Sequence, residues 1–417
     1  MNVLYIHQYF STPEGASGTR SYEFAKALLA KGHRVTMICG SHAMSQTGLS
    51  TPIKKGLRRG MVEGIDVIEI VIPFSNYDGL IKRSFKFLQF AWRSIQLVFK
   101  EKFDVLFATS TPLTVAIPGI LLKWIKPKKV FVFEVRDSWP KLPKALGVIT
   151  NPLILCMLTW LERRAYFAAD QLIGLSPGIV EHIESLVKNK PVEMIPNGCD
   201  LSFFQQESEV IAWDGIKETD FIVIFAGAHG IANGLDAVLN VAKIIANMPS
   251  DAARIKFLFV GDGKLKPELC KRAKDESLDN CIFFPPMPKE ELRHLLKRAN
   301  LGLMVLANVP AFYYGTSPNK FFDYIASGLP VINNYPGWVA DLIQSHACGV
   351  VVSPNDAEGF ARVLMELSSE ASFDQNQQMA EQTYLLAADF DRIKLAERFV
   401  SCLELAHKEK EPMRAQA

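Results

Sequence analysis

At 417 residues the chain is too long for one ordinary domain and suits two of about 150 to 200 residues each. Its composition, 49% hydrophobic and 22% charged, is that of a folded protein with room for two cores and argues against disorder. A net charge of only +2 argues against a nucleic-acid binder, and seven scattered cysteines without C-x-x-C spacing argue against a disulfide framework or a zinc site and fit a reducing compartment.

The opening Met1-Asn2-Val3-Leu4-Tyr5-Ile6 reads as an apolar strand, with neither the basic region nor the small-residue cleavage site of a secretory leader, so a cytoplasmic protein is expected. Strands are expected over 3–6, 35–39, 65–72, 105–108, 130–135, 171–175 and 192–195, alternating with helical patterns as in βαβ units. A helix over 19–31 is stopped by Gly32. Before it, Gly15, Ser17, Gly18 and Arg20 lie in a glycine-containing loop whose backbone N–H groups can face an anion or a sugar hydroxyl, with Arg20 adding charge. The spacing is not G-x-G-x-x-G, and glycines serving only a tight turn remain the alternative.

Residues 80–100 form an amphipathic helical pattern with Phe85, Leu88, Trp92, Ile95 and Phe99 on one face. Lys82, Lys86, Gln89, Arg93, Gln96 and Lys100 line the other, which fits an anionic membrane surface, with core packing as the plainer explanation. Lys54, Lys55, Arg58, Arg59, Lys126, Lys128 and Lys129 extend the basic character. The apolar stretches 113–125 and 153–161 are too short or interrupted to span a bilayer. The strand over 130–135 runs into Glu134-Val135-Arg136-Asp137-Ser138-Trp139-Pro140, at the strand end where an open sheet binds its ligand. There Asp137 can accept a hydrogen bond from a hydroxyl and Arg136 can steady a phosphate or orient that carboxylate; a structural Arg-Asp pair is the alternative.

A polar linker over 205–220 divides a first domain, 1–204, from a second, 221–388, with strands expected over 221–226, 256–260, 281–284, 301–305, 331–333 and 349–352. A helix over 393–407, within the tail 389–417, is expected to pack back on the first domain. The fold class is therefore α/β, with two doubly wound, Rossmann-like domains facing each other across a cleft. In the second domain the loop Gly227-Ala228-His229-Gly230-Ile231-Ala232-Asn233-Gly234 leads into a helix, an arrangement that lets a backbone approach a diphosphate. His229 reads as a loop-packing residue before a catalytic one. Further on, Ser317-Pro318-Asn319-Lys320-Phe321-Phe322-Asp323 enters a short helix stopped by Gly328, with Lys320 and Asp323 placed to share one ligand carrying phosphate and ribose. A solvated i,i+3 ion pair is the alternative. Gly227, His229, Asn233, Gly234, Ser317, Asn319, Lys320 and Asp323 are thus the donor-side candidates.

These segments together, over nearly the whole chain, resemble the retaining glycosyltransferases of family 4, which have the two-domain GT-B fold. Within that family the chain looks most like bacterial O-antigen and capsule enzymes similar to L-fucosaminyltransferase. The resemblance implies a UDP-sugar donor, a lipid-linked saccharide acceptor, a peripheral place on the inner face of the cell membrane, and no metal. It assigns ribose binding to Asp323 and a phosphate cradle to Lys320 with the 227–234 backbone. It departs from the family where an earlier acidic residue is replaced by Gly315, where an Arg/Lys pair is replaced by Ala228 and His229, and where a His-Asp pair reads Arg136-Asp137. Catalytic candidates are Asp137, Arg136 and Lys320. The competing functions are a UDP-sugar epimerase of related fold and a catalytically silent sugar-nucleotide-binding protein.

Overall fold

The computed structural model describes residues 1–15, 18–42, 45–74, 78–206, 211, 213, 215–248 and 254–415. By its internal contacts the chain divides into two compact units, Met1–Asn197 with Tyr314–Ser317 and Ile393–Ala417, and Gly198–Tyr313 with Pro318–Arg392. The first boundary falls at Asn197/Gly198 because Cys199 N donates to Phe390 O (2.8 Å) and Arg392 N to Cys199 O (2.9 Å), which knits the segment after Asn197 into the second unit.

The first unit is built on eight strands: β1 (Asn2–Ile6), β2 (Arg34–His42), β3 (Leu57–Val62), β4 (Ile65–Phe74), β5 (Val105–Thr109), β6 (Val130–Val135), β7 (Gln171–Gly174) and β8 (Val192–Met194), in the order β3-β4-β2-β1-β5-β6-β7-β8. All neighbours are parallel except β3 and β4. Strands buried on both faces become continuous apolar runs, which is why β5 and β6 are buried along their whole length.

Strand β3 was not among the expected strands. It is an edge strand with arginines at 58 and 59, and it pairs with β4 through a two-residue turn at Glu63 (φ 46°) and Gly64 (φ 90°). Positive φ at both turn residues matches the right-handed twist of a hairpin. Arg58 pairs with Glu69, and Arg59 with Asp66 and Glu101, so these two cations are matched inside the fold and do not extend a free basic patch.

One face of this sheet is covered by the helices Leu80–Lys100, Ile117–Ile125, Pro152–Ala168 and Pro177–Leu186, which supply Phe90, Leu122, Tyr166 and Ile179 to the core beneath. The other is covered by Arg20–Ala30 and the final helix Arg392–Ala415. The final helix packs back as expected. Phe399 stacks on Phe24 (centroids 4.4 Å apart) and meets Phe107 edge-on at 4.9 Å.

The second unit has six parallel strands: β9 (Phe221–Ala226), β10 (Ile255–Val260), β11 (Cys281–Phe284), β12 (Leu301–Met304), β13 (Val331–Asn333) and β14 (Gly349–Val351), ordered β11-β10-β9-β12-β13-β14. Among its helices, Asn319–Ala326 lies tight on the sheet, because a Cβ on Gly302 would stand 2.5 Å from the Tyr324 ring. The Tyr324 hydroxyl accepts the N–H of Ala226 at 2.9 Å, pinning this helix to the end of β9.

Phe399→Ala would remove the aromatic contact that joins the final helix to the first sheet. Loss of a buried phenyl group costs about 3–5 kcal/mol, and urea denaturation should show a lower midpoint by a corresponding amount.

Candidate active site

In the second unit the loop after β9 is drawn in by close backbone approaches. Gly227 (φ 154°) donates its N–H to Val260 O, and a Cβ on Gly261 would lie 2.0 Å from Gly227 O. Gly234 (φ 56°) packs its α-carbon against Ala307, where a Cβ would come within 2.9 Å of the backbone. Only glycine fits these positions without strain.

Lys320 reaches this loop from the second residue of its helix. Its Nζ donates to Asn233 Oδ1 at 2.6 Å and sits 4.0 Å from the centroid of the Phe225 ring. Asn233 in turn donates to Ala228 O at 2.7 Å. Lys320 has no carboxylate partner among the described residues, and burial pushes its ammonium down to about 7. The ring face and the amide oxygen favour the charged form. A cation so placed, beside glycine backbone and without a counter-charge, is suited to an incoming anion. The structure thus brings Gly227, Asn233, Gly234 and Lys320 together.

The other donor-side candidates part from this group. Asp323 pairs through Oδ1 with Lys289 Nζ at 3.4 Å, and Lys289 lies over the Phe204 ring. Lys320 and Asp323 therefore form neither the solvated pair nor one shared cluster, because each leans towards a different neighbouring element. Asn319 is exposed at the start of the helix. Ser317 belongs to the first unit, where its Oγ accepts the Asn197 N–H at 3.0 Å and its carbonyl accepts from Asn197 Nδ2 at 2.6 Å.

His229 is fully buried, stacked on Phe225 and edge-on to Phe259 and Phe283. Neither ring nitrogen has a hydrogen-bond partner among the described residues, and burial, then Lys266, pushes its pKa down to about 4. A neutral imidazole walled in by phenyl rings packs the loop.

In the first unit the polar residues gather at the carboxyl ends of the adjacent strands β1, β5 and β6. Glu134 and Arg20 form a buried pair: Arg20 Nε and Nη2 donate to Glu134 Oε1 at 3.1 and 2.8 Å, and Thr109 Oγ1 donates to Oε2 at 2.6 Å. Two further Arg20 N–H groups donate to the carbonyls of Ile195 and Pro196, and its guanidinium stacks on Phe24. Arg20, expected to offer charge to a ligand, is instead consumed in joining four segments of the fold. Gly15 is buried with its N–H on Thr12 O, and Gly18 is exposed just before the helix Arg20–Ala30, whose N-cap Thr19 makes no side-chain cap bond. Ser17 lies outside the described residues.

Just beyond Glu134, Arg136 and Asp137 are half-buried and do not pair with each other. Asp137 Oδ2 accepts from Thr111 Oγ1 at 2.5 Å, and the Arg136 N–H donates to Ser110 Oγ at 2.9 Å. The Arg136 guanidinium donates to His7 Nε2 at 3.2 Å. Burial, then the neighbouring Arg136 and Arg20, hold His7 well below the ordinary histidine pKa. Its neutral ring accepts through Nε2, so the proton is on Nδ1, which has no partner among the described residues. His7 and Lys289 were not among the expected site residues. The available signals were position alone: His7 is the first residue after β1, and Lys289 the first of the helix Lys289–Arg298.

The chain matches two family descriptions, "Glycosyltransferase Family 4" over residues 17–203 and "Glycosyl transferases group 1" over residues 207–385. It is 25% identical over 213 residues to the O-antigen chain mannosyltransferase C of Escherichia coli, 50% of this chain and 53% of that protein, so the match spans about half the relative's length. It is 23% identical over 312 residues to the probable glycosyltransferase WbjE of Pseudomonas aeruginosa, 71% of this chain and 74% of that protein. Among solved structures, HepE of Anabaena in complex with UDP aligns with a TM-score of 0.65 at 15% identity, covering 97% of this chain and all of that one.

Replacing Glu134 by Gln would leave the Arg20 charge buried without its counter-charge, at a cost of about 3–5 kcal/mol, readable as a lower urea midpoint. The Lys320 ammonium, lowered on folding, makes the unfolded chain bind more protons above about pH 7, so stability rises with pH there. Lys320→Met should remove that rise in denaturation midpoints measured between about pH 7 and 9.

Proposed function

Because the chain belongs to the family 4-like glycosyltransferases with the GT-B fold, we propose that it moves a sugar from a UDP-sugar to a hydroxyl of a lipid-linked saccharide, with retention at the anomeric carbon and without a metal ion. The sugar is an N-acetylated or 6-deoxy hexose, and the product enters bacterial surface polysaccharide. The name of the Escherichia coli O-antigen relative supports the polysaccharide setting, and the UDP bound to HepE supports the nucleotide. The enzyme works at the inner face of the cell membrane, held there through residues 80–100.

The observation that carries this reading is Lys320, a half-buried ammonium whose neighbours are a phenyl ring, an amide oxygen and glycine backbone, with no carboxylate among the described residues. It holds the donor diphosphate together with the 227–234 backbone, and Asp323 exchanges Lys289 for the ribose hydroxyls. In the first unit, before transfer begins, Asp137 accepts the hydrogen bond of the acceptor hydroxyl through Oδ1, its Oδ2 being fixed by Thr111. Arg136, oriented by His7 and Ser110, contributes positive charge.

In the transfer step the bond between the anomeric carbon and the diphosphate oxygen breaks, the acceptor oxygen bonds to that carbon on the same face, and its proton passes to the departing diphosphate. The protein need supply no nucleophile. Its part is to position the reactants and stabilise charge on the leaving group.

Release of UDP from a panel of UDP-sugars, with EDTA present and a membrane lipid extract as acceptor, tests this. Acceptor-dependent release that persists in EDTA and falls by about a hundredfold in Lys320→Ala is expected. Isomerised UDP-sugar without release would identify an epimerase instead, and tight UDP binding without either would identify a silent binding protein.

A further inference from the structure

Three helices lie side by side on one face of the first sheet: Leu80–Lys100, Ile117–Ile125 and Pro152–Ala168. Their inner sides supply the core, and their outer sides carry large apolar groups among cations. In the first helix the buried stripe is Phe90, Ala91, Ser94, Leu97 and Val98. The apolar face expected there from spacing points outward instead, with Phe85 69% and Trp92 62% exposed, while Ile95 and Phe99 are half-buried. The other two helices continue the pattern with Trp124 (82%), Met157 (70%) and Trp160 (58%). Half of the exposed large hydrophobic side chains among the described residues sit on these three helices. Scattered exposed apolar residues are ordinary; three tryptophans on one helical layer are not.

The start of the third helix is the most apolar part of this layer. No charged residue occurs between Lys144 and Glu162. The helix is nevertheless well made there: Pro152 follows Asn151, whose side chain accepts the N–H groups of Leu153 and Ile154. Local structure is therefore complete while Leu153, Ile154, Met157 and Trp160 stay in solvent.

Charge selects what covers this layer. The first helix carries Lys82, Arg83, Lys86, Arg93 and Lys100 and no acidic residue; Lys126 and Lys128 are exposed just beyond the second, and Arg163 and Arg164 on the third. The one acidic residue on the three helices, Glu162, is buried and bonded to His182 and Tyr166. Asp78, before the first helix, is taken by Lys82 and Lys86, and Arg93 spends a donor on Lys55 O. A second copy would bring like charges together across an apolar contact, which disfavours a symmetric dimer. Tryptophan, aliphatic side chains and cations without acids are the composition that lies in the headgroup region of an anionic bilayer.

We propose that this three-helix layer is the membrane-docking surface of the protein, and that the charge-free first two turns of the helix Pro152–Ala168 insert among the acyl chains of an anionic phospholipid bilayer. Residues 80–100 then supply the cations at headgroup level and only part of the apolar contact. Such a surface deepens the reading of a transferase that acts on a lipid-linked saccharide, and rests on it for its purpose, though not for its physics.

The test uses the full chain and vesicles of phosphatidylcholine, alone or with about a third phosphatidylglycerol. Co-sedimentation with the anionic vesicles only, quenching of tryptophan fluorescence by brominated acyl chains, and an about tenfold loss of binding in the triple variant Leu153→Ser, Met157→Ser, Trp160→Ser are expected. UDP binding unchanged in that variant would show that it has folded. The triple variant Lys82→Glu, Lys86→Glu, Arg93→Glu should bind more weakly while still showing quenching for the fraction bound. Equal binding to neutral vesicles, full binding by the Leu153/Met157/Trp160 variant, or a dimer that this variant converts to monomer without any vesicle binding would overturn the proposal. Vesicle binding without UDP release would instead overturn the transferase reading and leave the docking surface standing.

Discussion

The buried pair of Arg20 and Glu134 is the joint on which the first unit turns. Taking two charges out of water costs several kcal/mol each, about as much as their mutual attraction returns unless every remaining donor and acceptor is satisfied. Here Arg20 bonds one carboxylate oxygen and two backbone carbonyls, and Thr109 bonds the other oxygen. The pair thereby fixes the ends of β5 and β6, the start of the helix after β1 and the segment beyond β8 in one geometry. Arg136 and Asp137 follow within three residues, so their place is inherited from a contact in which neither takes part.

The second unit solves a different problem with the opposite device. Its central cation, Lys320, is given an aromatic face and an amide oxygen but no carboxylate among the described residues, and its helix is anchored by the Tyr324 hydroxyl on the N–H of Ala226. One unit holds a buried charge paired with a carboxylate, and the other holds a cation with no carboxylate partner among the described residues.

Much of the fold is legible in the sequence because strands are written as short apolar or β-branched runs, nearly unbroken where both faces are buried as in β5, β9 and β12, and thirteen of the fourteen strands among the described residues are expected from such runs. Strand β3 is not, since its arginines answer to carboxylates on β4 and after the helix Leu80–Lys100, and only pairing reveals it. The site is legible to the same degree. Glycines 227 and 234, Asn233 and Lys320 announce themselves through local chemistry. The partition of Lys320 from Asp323 does not, because it is decided by Lys289, which lies far back along the chain. His229 reads from its loop as a packing residue, and the phenyl groups that enclose it come from three strands spread along the chain. The spacing in 80–100 gives the period of the helix correctly, but which stripe faces the sheet depends on where that sheet lies.

The return of the final helix to the first unit has a consequence for biosynthesis. The surface around Tyr5, Phe24 and Phe107 has no cover until Phe399 and Leu403 have been translated, some two hundred residues after the last strand of that sheet. While the ribosome is still making the second unit, the first can only be a partly closed intermediate with an aromatic seam open to water, exposed to chaperones and to aggregation alike. The order in which the two units finish is then the reverse of the order in which they begin.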